Sequence, residues 1–82
     1  MPTVAVVDGF VIRVNIVEDG EGPHVHVVKG GREYRVRLLR RDAELMTMGG
    51  REKVTRAEAR RTVQIVRENL GACWAEWKRW HD

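Results

Sequence analysis

Cysteine, proline, phenylalanine and tyrosine are scarce in this chain of 82 residues, which contains one Cys, two Pro, one Phe and one Tyr. The single cysteine, Cys73, cannot form an internal disulfide, which excludes the disulfide-rich domains of secreted proteins. No apolar run approaches the ~20 residues of a membrane span, and the first residues lack the basic and apolar regions of a signal peptide. We therefore expect a cytoplasmic protein without a membrane partner.

Repeats, linkers and low-complexity stretches are also missing, so we expect a single domain over residues 1–82. The apolar fraction of 43% and the charged fraction of 33% are typical of a globular domain. A domain of this size buries only ~60% of the surface that its unfolded chain exposes. A partner protein, or a second copy in a homodimer, could therefore complete the burial.

The net charge of +3 is unevenly distributed along the chain. Residues 29–67 contain twelve Lys and Arg against five Asp and Glu, whereas residues 1–28 contain one cation against four anions. Arginine supplies twelve of the fifteen cations, and its planar guanidinium matches phosphate and carboxylate geometry. The basic middle points to an anionic partner such as RNA, although a solvated arginine-rich surface would give the same count.

Alternating apolar residues and glycine turns predict an antiparallel sheet of three to five strands over residues 1–48. We expect strands at 4–7, 10–17, 24–29 and 32–39, with a short edge strand at 44–48. Asp8-Gly9 and Gly30-Gly31 are two-residue turns of the kind that connect hairpins. In the second strand, Phe10, Ile12, Val14 and Ile16 would face the core.

A capping box predicts a helix start at Thr55, with Glu58 bonding back to the cap. Residues 55–81 should form one or two helices, because Gly71 either ends the first helix or marks a bend. An apolar stripe at helical spacing would pack on one face of the sheet. The predicted fold class is therefore α+β.

The Gly30-Gly31 turn fixes which residues face each other in the second hairpin. If Lys29 pairs with Arg32, then His26 meets Arg35 and His24 meets Arg37 on the face opposite the core. A neighbouring first hairpin would add Arg13 and Asn15 to this face. We expect the helices to leave this His/Arg surface uncovered.

Two imidazoles beside guanidinium groups predict an anion site, with phosphate as the commonest biological ligand. Nearby positive charge disfavours protonated histidine, so His24 or His26 could serve as a general base that activates an RNA 2′-hydroxyl. Arg13, Arg35 and Arg37 would bind phosphate. Two alternatives stay open: an inert solvated face, and a metal site that requires His81 or a carboxylate as a third ligand. We predict no metal or other cofactor.

The helical segment carries two further candidate surfaces. Arg56, Arg60 and Arg67 lie near one side of the first helix and could extend a phosphate-binding surface, or form its solvated face. Trp74, Trp77 and Trp80 should be largely core, yet three tryptophans exceed what so small a sheet covers. One or more of them could anchor a partner protein.

The run Gly22–Val27 resembles the Pro-His-aromatic-His-Val signature of a family of small bacterial proteins known only as a domain of unknown function. Further similarity lies in Met1–Thr3, in Gly9–Arg13, in Gly50 ahead of a basic helix, and in Glu68–Leu70 followed by Trp74 or Trp77. This chain departs from the pattern with Val25 at the usually aromatic position and with a different connection at 49–54.

The resemblance implies a gene pair similar to a toxin–antitoxin module, in which a small protein encoded by the adjacent gene is the partner. Sheet histidines followed by a helix also resemble the architecture of HicA-like ribonuclease toxins. We therefore expect a component that binds or cleaves RNA, with endoribonuclease-like activity as an open question. The alternative is a non-catalytic, antitoxin-like module that docks through the tryptophan-bearing helix.

Overall fold

Five strands and two helices make up the chain, and a computed structural model describes residues 2–17 and 20–81 of it. The elements, in chain order, are β1 (Thr3–Val7), β2 (Phe10–Arg13), β3 (His24–Lys29), β4 (Arg32–Leu38), β5 (Ala43–Gly50), α1 (Arg56–Glu68) and α2 (Leu70–His81). The α+β fold with an antiparallel sheet followed by two C-terminal helices is confirmed.

The strands lie in the order β1-β2-β3-β4-β5, so each strand pairs with the one before it in the chain. Both predicted hairpin turns are present, and Asp8, Gly9 and Gly30 adopt positive φ angles of 50°, 79° and 58°. Lys29 pairs with Arg32, and the register runs on to His24 opposite Arg37. The predicted pairing of β3 and β4 is therefore confirmed at every position.

The second strand ends earlier than its alternating pattern suggested, because the chain turns at Asn15. The Asn15 side chain accepts a hydrogen bond from the Val17 N–H at 3.0 Å, a local turn that competes with strand pairing. Val14 is still fully buried, but Ile16 is 48% exposed. The prediction that Ile16 faces the core was wrong.

The last strand is longer than predicted and ends in close contact with the Gly30-Gly31 turn. Gly50 has a φ of 138°, and a Cβ at this position would lie 2.1 Å from the Gly31 carbonyl oxygen. Only glycine fits there. Residues Arg35 and Val36 flank a register shift opposite β5.

The first helix starts where the capping box predicted, but only half of the box forms. The Thr55 hydroxyl accepts a hydrogen bond from the Glu58 N–H at 3.1 Å. The Glu58 carboxylate does not return to the cap; instead it accepts hydrogen bonds from Arg32 Nε and the Tyr34 hydroxyl, each at 2.5 Å. The same carboxylate thus joins α1 to β4.

The helical segment breaks at Asn69 rather than at Gly71. The Asn69 backbone leaves the helical region at φ −117° and ψ 23°, and its side-chain amide donates to the Ile65 carbonyl at 2.9 Å. The second helix then begins at Leu70, which places Gly71 inside it. Asparagine can satisfy a helix-end carbonyl through its own side chain, so no glycine is needed at the break.

The core lies between one face of the sheet and the two helices, as the apolar stripe predicted. Ala59, Val63, Val66 and Ile65 of α1 are buried in one cluster with the inward-facing residues of β2, β3 and β4. Tyr34 is fully buried. Along residues 2–17 and 20–81, neither helix has the length and apolarity needed to cross a membrane.

The second helix crosses one end of the sheet, where β2 and β4 finish and β3 starts. Trp74 Nε1 donates to the Leu39 carbonyl after β4 at 2.8 Å. The Trp77 ring lies 5.8 Å from the His24 ring at the start of β3, and His81 Nε2 donates to the Asn15 carbonyl after β2 at 2.6 Å. Successive turns of α2 therefore cover the ends of three neighbouring strands.

Candidate functional site

The sheet face opposite the core brings His26 of β3 between Arg13 of β2 and Arg35 of β4. His26 pairs with Arg13 on one side and with Arg35 on the other. The rings of His24 and His26 lie 5.1 Å apart, because residues two apart in a strand point the same way. Four predicted site residues therefore form one cluster, which we call the histidine cluster: Arg13, His24, His26 and Arg35.

His24 does not lie on an open face as expected, because α2 covers the end of β3. Its side chain is only 1% exposed and sits beside Trp77. Its Nδ1 donates to the Gly22 carbonyl at 2.9 Å, which leaves Nε2 as an acceptor facing an Arg35 nitrogen at 3.4 Å. A ring held in this way can position the cluster, but RNA cannot reach it without displacing α2.

His26 has a different environment, because a carboxylate orients its ring. Its Nδ1 lies 2.8 Å from Glu33 Oε1, and a carboxylate acceptor places the proton on Nδ1. The Nε2 atom is buried and has no hydrogen-bond partner among the residues that the structure describes. Imidazole held by a carboxylate with the second nitrogen left over is the arrangement that general-base histidines use.

Carboxylates of the chain itself pair with two of the cations on this face, Arg35 and Arg37. Glu21 pairs with Arg35, and Glu44 pairs with Arg37 at 3.6 Å. An anionic ligand would have to replace Glu21 at Arg35. Arg37 is also more exposed than Arg35, with 44% of its side-chain surface accessible against 24%. It lies opposite His24 in the register and not opposite His26.

An open depression of about 290 Å³ lies beside the cluster on the β5 side. Glu33 and Arg35 line one wall of it, and Thr47, Gly49 and Gly50 line the other. The two glycines leave backbone exposed where side chains would otherwise fill the space. A phosphate-sized group fits this volume next to the Arg35 guanidinium.

Glu33 is the residue of this site that sequence reasoning missed. The register of the Gly30-Gly31 hairpin places it diagonally across from His26 and on the same face as Arg35. Diagonal neighbours on one face are within reach of long side chains, so the signal was present in the sequence. Glu21 gave no such signal, because it lies in the connection before β3.

The other predicted residues lie away from the histidine cluster. Arg56, Arg60 and Arg67 line a groove between α1 and β5. Arg67 is paired with Asp42 at 2.5 Å, and the hydrogen bonds that Asp42 accepts from the Ala43 N–H and then from Arg67 hold its pKa below the usual range. These arginines therefore lie apart from the histidine cluster.

The three tryptophans have three different environments. Trp77 is only 6% exposed and stacks on His81 with ring centroids 3.6 Å apart, so it is a core residue and not a partner anchor. Trp74 is half-buried against Leu39. Trp80 is 43% exposed, and its Nε1 donates to Glu76 at 2.6 Å.

Two other reactive groups are engaged within the fold. Cys73 is fully buried in the core cluster, and this burial raises the pKa of its thiol to about 11. His81 donates its Nε2 proton to the Asn15 carbonyl and does not join the other two histidines. Within residues 2–17 and 20–81, no three His, Cys, Asp or Glu side chains converge in a way that could hold a metal ion.

The model of one protein family, the domain of unknown function DUF4160, matches residues 9–78 of the 82-residue chain. The chain belongs to this family. The matched region includes β2 to β5, all of α1 and most of α2, and with them the whole histidine cluster. Comparison with curated proteins and with solved structures gave no match.

Proposed function

We propose that this member of the DUF4160 family binds or cleaves RNA as one component of a toxin–antitoxin-like pair. The observation that carries the proposal is the 2.8 Å contact between His26 Nδ1 and Glu33, which leaves His26 Nε2 as a base beside Arg35. Glu33 supplies the carboxylate that orients the His26 ring.

In the cleavage reaction, His26 Nε2 removes the proton of an RNA 2′-hydroxyl. The 2′-oxygen then bonds to the adjacent phosphorus, and the bond from phosphorus to the 5′-oxygen breaks. The leaving 5′-oxygen takes a proton from water. Arg35 stabilises the charge on the phosphoryl oxygens after its carboxylate partner, Glu21, has given way to the phosphate. Because Nε2 is buried, this step also requires the side chains around it to rearrange.

The roles of the two histidines differ in this proposal. His26 is the catalytic residue, and His24 is a positioning residue that holds the Arg35 nitrogen at 3.4 Å and fixes the chain at Gly22. Arg13, whose backbone pairs with that of His26, is a second phosphate ligand. Arg37 lies opposite the buried His24, is paired with Glu44 and is not a phosphate ligand in this proposal.

The experiment is expression of the chain with and without the protein encoded by the adjacent gene, scored for growth and RNA integrity. Expressed alone, the wild-type chain should slow growth and degrade RNA. His26→Ala should reduce RNA cleavage by roughly 100-fold or more, and Glu33→Gln should reduce it by roughly 10-fold or more through loss of orientation.

Glu44→Gln is the matched control, because Glu44 is a carboxylate that pairs with Arg37 of this face and not with a histidine. It should leave growth inhibition and RNA cleavage unchanged. A folded His26→Ala variant that cleaves RNA as fast as the wild-type chain would remove the catalytic proposal. Equal losses in Glu44→Gln and Glu33→Gln would show that charge, not orientation, is responsible.

A second candidate function, a non-catalytic partner-binding module, is favoured by one observation. Arg35 and Arg37 are already paired with carboxylates of the same chain, as expected of a surface that needs no phosphate. Such a module would dock through the exposed Trp80, since Trp77 is occupied in the core and Trp74 is half-buried against it. It predicts a stable complex with the adjacent gene product and no RNA cleavage or growth inhibition by the chain alone.

A further inference from the structure

A groove of about 690 Å³ runs between α1 and the edge strand β5, on the opposite side of the sheet from the histidine cluster. Apolar side chains form its floor, with Leu45 and Met48 from the strand and Val63 from the helix. Leu45 and Met48 are 36% and 43% exposed, although their partners in β4, Val36 and Tyr34, are fully buried. The helix therefore covers β4 and leaves the apolar side of β5 partly open.

The edge of β5 is also open along its backbone. This strand pairs only with β4, and no other segment within residues 2–17 and 20–81 hydrogen-bonds the backbone of residues 44–49. Side chains close the beginning of the strand, where Ala43 donates to Asp42 and accepts from Arg67. The middle of the strand keeps a row of outward N–H and C=O groups, which another strand can pair with.

Two cations on the rim of the groove lack carboxylate partners within residues 2–17 and 20–81. Arg61 and Arg67 of the same helix are paired with Asp8 and Asp42, whereas Arg56 and Arg60 have no ion-pair partner among the described residues. Both line the groove. The acidic residue that lines it, Glu44, is paired with Arg37 on the other face. The groove thus presents uncompensated positive charge above an apolar floor.

We propose that β5 and this groove bind an extended, acidic segment of a partner protein, which adds to the sheet as a sixth strand. Backbone groups of β5 supply the pairing, the apolar floor receives alternate side chains, and Arg56 and Arg60 bind the carboxylates. The inference concerns a different face from the histidine cluster and a different helix from Trp80. It therefore holds or fails independently of the proposed function.

The lining of the groove favours an acidic peptide over RNA or a second copy. None of the described residues that line it is aromatic, so unpaired bases would find no stacking platform. Two-fold pairing of β5 with β5 of another copy would bring two sets of the same arginines to one seam, and like charges repel there. An acidic strand would pair with the β5 backbone, place apolar side chains on the floor of the groove and bind Arg56 and Arg60.

The probe is a fluorescent peptide matching the eight residues of β5 in length. Every second residue is threonine, and the residues between alternate glutamate and valine, so that one face of the strand carries all carboxylates and apolar groups. A lysine-for-glutamate peptide controls for charge. A peptide with N-methylated backbone on the pairing edge controls for strand addition, because it cannot complete the hydrogen-bond ladder.

We expect the acidic peptide to bind the full chain and to shift and protect the backbone amides of 44–49 in NMR spectra. The Arg56→Glu/Arg60→Glu variant should bind at least roughly 10-fold more weakly, as should both control peptides. The matched variant Lys78→Glu/Arg79→Glu changes charge equally on α2 and should bind like the wild-type chain. All four positions are exposed, so neither variant should unfold.

Several results would overturn the inference. The acidic peptide could fail to bind. The lysine or N-methylated peptide could bind with the same affinity as the acidic peptide. The amide shifts could fall outside β5 and α1. Protection of the β5 amides without peptide, in a sample whose particle mass is twice that of one chain, would assign the edge to a second copy. A single-stranded oligouridylate that displaces the peptide and binds more tightly at the same amides would assign the groove to nucleic acid.

Discussion

The hydroxyl of Tyr34 in β4 donates a hydrogen bond of 2.5 Å to the Glu58 carboxylate in the first turn of α1. Arg32 binds the same carboxylate through Nε at 2.5 Å and through a second nitrogen at 3.2 Å. These hydrogen bonds from Arg32 and Tyr34 lower the pKa of Glu58 below its usual value of 4.5. One carboxylate therefore fixes the helix to the sheet and should make folding sensitive to acid.

Glu58→Gln should lower the free energy of unfolding by about 1–2 kcal/mol at neutral pH, because Arg32 and Tyr34 would then donate to a neutral amide and not to a carboxylate. A lowered folded pKa stabilises the fold above the unfolded value of about 4.5 and does so less as pH falls through the folded value. The difference between wild type and variant should therefore shrink below pH 4.5. Urea unfolding across pH measures it.

Glu52→Gln is the control for this prediction, since Glu52 binds the same arginine but is 56% exposed. It should change the unfolding free energy by less than about 0.5 kcal/mol. Equal effects of the two variants, at all pH values, would contradict the role given to Glu58.

Tyr34 should ionise far above the usual pH for tyrosine. Its burial, and then its hydrogen bond to Glu58, raise its pKa from 10.0 to about 12. The stabilisation from its protonated hydroxyl is complete below pH 10 and should be lost as pH rises towards 12. Tyr34 is the single tyrosine, so phenolate absorbance reports this residue alone.

The control for the tyrosine titration is the chain in denaturant, where ionisation should return to about pH 10. Circular dichroism at each pH shows whether the fold persists. Ionisation near pH 10 in the folded chain would mean that the hydroxyl is open to solvent.

Removal of the two histidine side chains should have unequal effects on stability. His24→Ala should cost about 2–4 kcal/mol, since it empties a buried site beside Trp77 and leaves the Gly22 carbonyl without its donor. His26→Ala should cost about 1 kcal/mol, because it removes one hydrogen bond to a carboxylate that is 52% exposed. Denaturant unfolding of both variants tests the order. The reverse order would mean that His24 is not structural.

Replacement of Trp77 and of Trp80 in α2 should also have unequal effects on the free energy of unfolding. Trp77→Ala should cost about 3–5 kcal/mol, as expected for a large buried ring that also stacks on His81. Trp80→Ala should cost less than about 1 kcal/mol and, in the second candidate function, should weaken the complex with the adjacent gene product. A binding loss from Trp80→Ala without a stability loss would favour that function. No binding loss would remove Trp80 as an anchor.

Short-range rules predicted most of the fold. The Gly30-Gly31 turn set the whole register of β3 and β4, and Thr55 set the start of α1. Where local chemistry competed with a pattern, the prediction was wrong: alternation continued through Ile16, but the Asn15 side chain turned the chain first. Side-chain capping by Asn69 likewise replaced the expected break at Gly71.

The candidate site was predicted only in part, because alternation assigns a residue to a face and not to a depth. His24 and His26 do point the same way, yet only the ring of His24 is buried, at the end of the sheet that α2 crosses. No local sequence pattern around His24 indicates that α2 (Leu70–His81), a distant segment of the chain, covers this ring. Glu33, in contrast, follows from the register and was within reach of sequence reasoning.

The consecutive strand order has a consequence for synthesis on the ribosome. When each strand leaves the exit tunnel, the strand that it pairs with has already emerged. The sheet can therefore form one hairpin at a time during translation. The apolar face of the sheet, however, stays exposed to solvent until α1 and α2 have been translated. During that interval the nascent polypeptide is prone to aggregate and is a substrate for chaperones.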